Sequence, residues 1–304
     1  MNKPSEFLDF VYVGAPRCGS TWLAAVLEEH PGVWIPHNKE IHFFNDRLVY
    51  PFEYKYPRGL DYYRSYFREA PVSATVGELS PFYYYDPQAA HRIHRSFPNT
   101  KILICLRDPA VMLHSLYLLL RTREKREPTF ERELIKNPHL VDLGFYHRLL
   151  TPYFDWFPRE NIFVSIYENF FSDERKSLME LFEFLEVDSS FVPSFLGKRV
   201  NWSAGETPSA IARMRGRFIN LLNTKPLIPV KELMHRLKIN RMDYSAVASD
   251  TKKVKAKPKI SDACRNDLFR QYERDIGRLE TLLGCDLLAW RPDSARPTGA
   301  GRKA

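Results

Sequence analysis

The feature that most constrains the fold is the start of the chain, where a buried strand, a short loop and a helix follow one another directly. Residues 7–13 (FLDFVYV) form an apolar run that ends at a glycine, which predicts a buried strand. The loop APRCGS comes next, and residues 21–30 (TWLAAVLEEH) then show helical spacing of apolar side chains up to a Pro-Gly stop. This succession predicts the first unit of an α/β fold.

The same alternation recurs further along the chain. Residues 101–106 (KILICL) and 162–166 (IFVSI) are apolar runs that predict strands, and helical spacing follows them over residues 111–121 and 174–185. Residues 75–79 are a weaker strand candidate. Strands that alternate with helices predict an α/β fold, with a parallel β-sheet flanked by helices on both faces.

Length and composition fit one domain. The 304 residues are 44% hydrophobic and 14% aromatic, which is enough to bury a sizeable core. We expect a single domain over residues 1–290 that closes with an amphipathic helix over 265–283. Residues 291–304 are rich in Pro, Gly and Arg, and we expect a disordered tail there.

The four cysteines and the hydropathy pattern bear on metal binding and location. Cys18, Cys105, Cys264 and Cys285 have no metal-ligand spacing, so we expect free thiols in a reducing compartment and no metal site. Residues 1–9 contain no apolar signal segment, and no apolar run approaches the roughly 20 residues that span a bilayer. We therefore expect a cytoplasmic protein without a membrane span; its oligomeric state is open.

The positive charge leaves two interpretations open. A formal net charge of +8 favours an anionic ligand or a solvated basic face. The lysine-rich stretch over residues 251–259 (TKKVKAKPK) is compatible with nucleotide contact or with a solvated charge run. A non-catalytic polyanion-binding protein is thus one alternative, which would require a continuous basic face and steep salt dependence.

The first loop has the composition of an anion site. Residues 14–21 (GAPRCGST) place small residues, hydroxyls and Arg17 at the start of a helix, where backbone N–H groups favour negative charge. The pattern GxxxxGK[ST] of nucleotide-triphosphate P-loops is absent, which argues against the other alternative, a P-loop-type nucleotide or small-molecule kinase. Taken alone, this loop is equally compatible with a plain tight turn.

A second loop of interest follows the strand at 101–106. In RDPAVMLHS, Arg107 stands at the strand end and Ser115 follows two helical turns later. A guanidinium fork and a hydroxyl suit a second phosphate group. A helix-capping Asp108 beside an ordinary surface arginine is the alternative from these residues alone.

Taken together, PRCGSTW and RDPxxxxxS resemble the PAPS-dependent sulfotransferase family (PAPS, 3′-phosphoadenosine 5′-phosphosulfate), in particular its carbohydrate or heparan-sulfate-type branch and bacterial sulfotransferases. Further similar segments are KEIHFF at 39–44, GELSPFY at 77–83, LGFY at 143–146, VSIYE at 164–168 and the closing stretch 257–290. The resemblance covers most of the chain. It implies a P-loop-like α/β fold and transfer of the PAPS sulfuryl group to a hydroxyl or amine of a small-molecule or carbohydrate acceptor, without metal or nucleic acid.

The resemblance also implies which residues bind the nucleotide. The first loop would hold the 5′-phosphosulfate, and Arg107 with Ser115 would hold the 3′-phosphate. Tyr167 matches a residue that contacts the adenine in some branches. The predicted cofactor-binding residues are Arg17, Cys18, Gly19, Ser20, Thr21, Trp22, Arg107, Ser115 and Tyr167.

The predicted catalytic residues are Arg17, Glu40 and His42. Glu40 matches the general base of the carbohydrate branch. His42 would share its face in an extended segment, where it either orients the acceptor or is itself the base; a buried hydrogen-bonded pair is the alternative. Arg17 replaces the lysine usual in the family and, as a poor proton donor, would stabilise the leaving phosphate electrostatically. Leu79 stands where some carbohydrate enzymes carry Lys, so their acceptor site is not carried over.

Overall fold

The computed structural model describes residues 7–36, 40–46, 54–123, 126–194, 196–197 and 258–292. Most of the predicted lysine-rich stretch, residues 251–257, lies outside the described residues. So does the predicted tail from residue 293 onward, and the expected disorder there stays a prediction.

Within the described ranges, five parallel strands form the sheet, in the order β2-β3-β1-β4-β5. Their bounds are β1 Phe10–Gly14, β2 Val33–Trp34, β3 Thr75–Leu79, β4 Lys101–Leu106 and β5 Ile162–Ile166. All five residues of β1 are buried, since it lies in the middle of the sheet and is apolar along its whole length. Phe10 pairs with Gly77 of β3, where a Cβ would lie 2.4 Å from the phenylalanine ring, so this register depends on the glycine.

Helices cover the sheet and connect its strands. In the described residues they are α1 Ser20–Glu29, α2 Leu60–Arg64, α3 Ala89–Ser96, α4 Pro109–Arg123, α5 Phe130–Lys136, α6 Tyr146–Trp156, α7 Tyr167–Phe170, α8 Glu174–Phe184 and α9 Asp262–Leu283. The α/β class with a helix-flanked parallel sheet is thereby confirmed. No helix in these ranges combines the length and the apolar character that crossing a membrane requires.

The strand order determines where loops can form a cleft. After β1 the chain builds β2 and β3 on one side of it, and then returns to place β4 and β5 on the other side. The loops after β1 and β4 consequently leave neighbouring strands in different directions at their carboxyl ends. Open α/β sheets bind ligands at such a switch point. The two loops singled out from the sequence therefore meet at this edge.

The C-terminal helix α9 braces the second of these loops. Arg265 Nη2 donates to Asp108 Oδ2 over 2.7 Å, just after β4. Glu168 accepts from the Trp290 indole at 3.2 Å and from the Asp108 amide at 3.3 Å. Ser261 caps the start of the helix, which is three residues earlier than the spacing predicted, and Gly284 ends it at the predicted position.

Candidate active site

The first loop is held against the sheet in a specific backbone conformation. The Ala15 amide donates to Cys105 O over 2.8 Å, which ties the loop to β4. Arg17 and Gly19 have positive φ angles of 62° and 83°. A Cβ at Gly19 would also lie 2.8 Å from Phe171 Cζ. The loop therefore needs glycine at position 19. It also holds Arg17 in a backbone conformation that residues other than glycine rarely adopt.

The remaining predicted residues of this loop divide into two groups. Ser20 and Thr21 begin α1, where backbone N–H groups have no partners within the helix. Cys18 and Trp22 are buried and line an apolar pocket with Phe171, whose ring lies 5.1 Å from the indole. Burial raises the pKa of Cys18, so its thiol is neutral. The loop thus offers hydroxyls and amides to an anion, and beside them an aromatic surface to a flat ring.

The second loop brings its predicted residues to the same edge. The Arg17 Nε donates to Ser115 Oγ over 3.1 Å, so the two loops are in direct contact. The Arg107 guanidinium lies 4.3 Å from the centre of the Tyr167 ring. Its Nε is buried and has no hydrogen-bond partner in the described part of the chain. Asp108 does cap α4, by accepting from the Ala110 amide at 2.9 Å, but Arg107 is no ordinary surface arginine.

Glu40 and His42 form a pair, although not in the way the sequence suggested. The prediction of an extended segment is wrong, since Glu40 has a φ of 67° and His42 a φ of 53°. Their side chains nevertheless meet, with 3.7 Å between Glu40 Oε2 and His42 Nε2. The Glu40 side chain is 35% exposed and that of His42 only 1%. Glu40 is therefore the member of the pair that an acceptor can reach.

Asn45, which sequence reasoning missed, orients the histidine ring. Its Nδ2 donates to Phe82 O at 3.1 Å, which leaves Oδ1 as an acceptor, and His42 Nδ1 lies 3.2 Å from that oxygen. Nδ1 must then carry a proton, so Nε2 is the nitrogen that faces Glu40. Nε2 and Glu40 Oε2 are 3.7 Å apart, which is too far for a hydrogen bond but close enough for an electrostatic interaction. Glu40 is therefore the group of the pair that can accept a proton from a substrate, with the imidazole ring beside it.

Glu40 is also electrostatically connected to the first loop. The Tyr12 hydroxyl donates to Ala15 O over 3.0 Å. The pKa of Tyr12 is raised mainly by burial, with contributions from neighbouring groups that include Glu40. The Glu40 amide also donates to Leu79 O over 2.9 Å, and Leu79 pairs with Tyr12 of β1. Glu40 is therefore tied to the end of the strand that leads into the first loop.

Two loops with the composition of anion sites at the switch point of the sheet, and a carboxylate–histidine pair at the end of the adjacent strand, are the features expected of a nucleotide-dependent group-transfer site. A family model described as "Sulfotransferase domain" matches residues 8–201, and the chain belongs to this family. The membership decides against the kinase and the polyanion-binder alternatives. It also confirms the resemblance on which the PAPS prediction rests.

Three relatives illustrate the membership. Membrane-associated sulfotransferase kil1 of Dictyostelium discoideum is 30% identical over 112 residues, 36% of this chain and 22% of that protein. Heparan sulfate glucosamine 3-O-sulfotransferase 3B1 of Homo sapiens is 29% identical over 185 residues, 58% and 45% of the two chains. The crystal structure of a sulfotransferase from Alicyclobacillus acidocaldarius is 26% identical, with a TM-score of 0.67 over 94% of this chain and 99% of that one. This chain matches less than half the length of either curated relative.

The residues present fit PAPS, the sulfuryl donor of the family. A nucleotide that carries charge on both its 5′ and 3′ substituents needs two cationic positions a short distance apart. Arg17 and Arg107 supply them from adjacent strand ends, and the buried Arg107 Nε is a donor whose capacity the described residues leave unused. Among the described residues no cluster of His, Cys, Asp and Glu is suited to a metal ion.

Proposed function

We propose that this chain transfers the sulfuryl group of PAPS to a hydroxyl group of a carbohydrate acceptor and releases 3′-phosphoadenosine 5′-phosphate (PAP). The observation that carries this proposal is the partly exposed Glu40 carboxylate, 3.7 Å from His42 and close to the first anion-binding loop. A hydroxyl needs a base when it attacks sulfur, and a carboxylate in this position is one.

At sulfur, the reaction forms one bond and breaks one. The acceptor oxygen bonds to sulfur while the bond between sulfur and the oxygen of the 5′-phosphate breaks. Glu40 takes the proton of the acceptor hydroxyl, with the His42 ring 3.7 Å from its Oε2. Arg17 and the amides at the start of α1 stabilise the negative charge that develops on the departing phosphate. Arg107 and Ser115 hold the other end of the nucleotide.

A surface of tyrosine rings and cations beside Glu40 supports a carbohydrate acceptor. The Tyr62 and Tyr66 hydroxyls are 2.6 Å apart, and the Arg58 guanidinium lies 4.0 Å from the Tyr62 ring centre. The Lys55 ammonium donates to Ile41 O over 2.6 Å, one residue from Glu40. Sugar rings pack on tyrosine faces, and cations suit acidic substituents. The names of the heparan sulfate relatives point in the same direction.

The aromatic residues of two segments, 62–67 and 82–85, divide between core and surface. The residues buried in the core are Tyr63, Phe67, Tyr83 and Tyr84, whereas Tyr62, Tyr66, Phe82 and Tyr85 are only partly buried. Only the second group is available to an acceptor.

Calorimetric titration with PAP, with ATP in parallel, tests the donor. We expect tight binding of PAP and weak binding of ATP; a preference for ATP that requires magnesium would contradict the proposal.

Incubation with PAPS and a panel of oligosaccharides, phenols and aliphatic alcohols, followed by mass spectrometry, tests the acceptor. Sulfation of phenols or alcohols alone would overturn the carbohydrate assignment and leave the sulfuryl transfer intact.

A further inference from the structure

Glu78 is a buried carboxylate to which the proposed mechanism gives no role. It lies in β3, 1% exposed. Three hydroxyl groups donate to it: Tyr63 at 2.9 Å and Tyr83 at 2.8 Å, both to Oε1, and Ser80 at 3.0 Å to Oε2. A carboxylate is rarely buried this deeply without a specific set of partners.

Two of these three hydroxyls also accept hydrogen bonds from backbone amides of residues 40–44, the segment that carries the predicted base. The His42 amide donates to Ser80 Oγ at 3.1 Å. The Phe43 amide donates to the Tyr83 hydroxyl at 2.9 Å. Each hydroxyl has one proton, which it gives to Glu78, so its lone pairs are free to receive the amide. All the bonds run in one direction, from backbone amide to hydroxyl to carboxylate, and such chains strengthen one another.

The direction of these bonds depends on the ionisation of Glu78. A protonated carboxyl must donate its own proton to one of the three hydroxyls or leave that proton unpaired in the interior. The hydroxyl that accepts it then loses the acceptor of its own proton. Only the ionised carboxylate satisfies all three hydroxyls and both amides together.

The segment that these bonds hold is under backbone strain. Glu40 and His42 both have positive φ angles, a conformation that costs free energy for residues other than glycine and persists where the surroundings impose it. The Glu40 amide donates to Leu79 O at 2.9 Å, and Lys55 holds Ile41 O. The hydroxyls on Glu78 supply the remaining contacts to the amides of residues 42–44.

We propose that the ionised carboxylate of Glu78 is a positioning group, which through Ser80 and Tyr83 holds residues 40–44 in the conformation that presents the catalytic pair. The inference rests on the proposed function, in which Glu40 and His42 handle the proton of the acceptor. Glu78 itself touches neither nucleotide-binding loop, so its role is confined to the acid–base side of the site.

The charge state of Glu78 makes this positioning sensitive to pH. Burial raises its pKa to about 7, against the opposing effect of the three hydroxyls and of Lys55. The titratable and charged groups around it are Tyr63 on α2, Tyr83 and Lys55, and His42 lies beyond Ser80. Burial keeps both tyrosines protonated, as donors, by raising their pKa further. The segment is therefore held firmly above about pH 7 and loosens below it.

Two tyrosines provide a matched test. Tyr63 and Tyr83 are both buried and donate to the same oxygen of Glu78, but the Phe43 amide donates only to Tyr83. In Tyr83→Phe we expect the hydrogen-exchange protection factors of the Phe43 and Phe44 amides to fall about tenfold or more, and turnover to fall with them. Tyr63→Phe, measured at about pH 9 so that Glu78 stays ionised without the Tyr63 hydroxyl, should leave both within about twofold. Equal losses in the two variants would overturn the proposal.

A pH series tests the charge directly. In the wild-type protein the protection factors of the amides of residues 42–44 should rise through about pH 7, and Glu78→Gln should remove this rise. Glu133 on α5 is an equally buried carboxylate, bound by Arg126 and Asn137, and Glu133→Gln should retain it. A flat wild-type profile, or a rise that survives in Glu78→Gln, would contradict the proposal.

The exchange measurements need neither nucleotide nor acceptor, which separates this inference from the proposed function. PAP titration of every variant checks folding and should give unchanged affinity. If the wild-type protein failed to bind PAP, the proposed function would fall, whereas the exchange data would still decide whether Glu78 holds the segment.

Discussion

Arg17 and Ser115 are 98 residues apart in the chain, yet the guanidinium Nε of one donates to the hydroxyl of the other over 3.1 Å. Arg17 follows β1 and Ser115 lies on α4, which follows β4. Their contact joins the two loops predicted to bind the nucleotide into one surface. We therefore expect both charged ends of a nucleotide to contact this surface at once. The surface should then discriminate between nucleotides that differ at one end.

The double substitution Arg107→Ala with Ser115→Ala tests this discrimination. We expect the affinity for PAP to fall by roughly 10²–10⁴-fold, since two contacts to a charged phosphate each contribute about 1.5–3 kcal/mol. The affinity for adenosine 5′-monophosphate, which lacks the 3′-phosphate, should fall much less, through the lost contact between Ser115 and Arg17. Calorimetric titration measures both, with the exposed Arg175→Ala as the control. Equal losses for the two nucleotides would remove the assigned role.

Gly19→Ala tests the backbone conformation of the first loop. Gly19 has a φ of 83° and a Cβ there would press on Phe171, whereas Gly284 has a φ of 67° and open space around it. Gly284→Ala should cost about 1–2 kcal/mol of unfolding free energy through φ alone. Gly19→Ala should cost more and should also weaken PAP binding, as urea unfolding and calorimetry would show. Equal destabilisation with unchanged PAP affinity would contradict the steric argument.

The sheet and its two loops could be predicted because their signals are local. The strands at 101–106 and 162–166 coincide with their predicted bounds, since each is a short apolar run, and the weaker candidate at 75–79 also has the predicted bounds. The carboxyl ends of neighbouring parallel strands share one edge, so the loops after β1 and β4 had to lie close together.

The conformation of the catalytic segment could not be predicted, because distant residues impose it. Ser80 and Tyr83 bind its amides and Lys55 binds one of its carbonyls. No local pattern in KEIHFF reveals the resulting positive φ angles. The sequence indicates Glu78 only as a carboxylate within an otherwise buried strand. Its hydrogen-bond partners are apparent only in the three-dimensional structure.

The stability of the protein should depend on pH through Glu78. Burial raises its pKa from 4.5 to about 7, so between these values the folded protein keeps a proton that the unfolded chain releases. The contribution of Glu78 to the free energy of unfolding is therefore greatest below about pH 4.5 and is lost as the pH rises to about 7, by on the order of 3 kcal/mol.

Urea unfolding of the wild-type protein and of Glu78→Gln at pH 5 and pH 8 measures this change. Since glutamine does not titrate, the stability of the variant relative to the wild type should rise between the two pH values. A difference that stays constant would show that Glu78 does not titrate in this window.

Glu40→Gln tests the base. Loss of the carboxylate should reduce turnover by roughly 10²–10⁴-fold, the range typical of general-base catalysis, and leave PAP affinity unchanged. Glu40 is expected to matter more than His42, because its side chain is 35% exposed and that of His42 only 1%. Steady-state kinetics of Glu40→Gln and His42→Gln compare the two, with PAPS as the donor and an acceptor that the wild-type protein has been shown to sulfate.

The comparison separates a base from a residue that orients one. If Glu40 takes the proton, His42→Gln keeps measurable turnover, because the glutamine side-chain NH₂ group can still donate to the carboxylate. The carboxylate limb of the pH–rate profile should then persist in His42→Gln and disappear in Glu40→Gln. The reverse pattern, with turnover abolished only in His42→Gln, would make His42 the base and Glu40 the group that orients it.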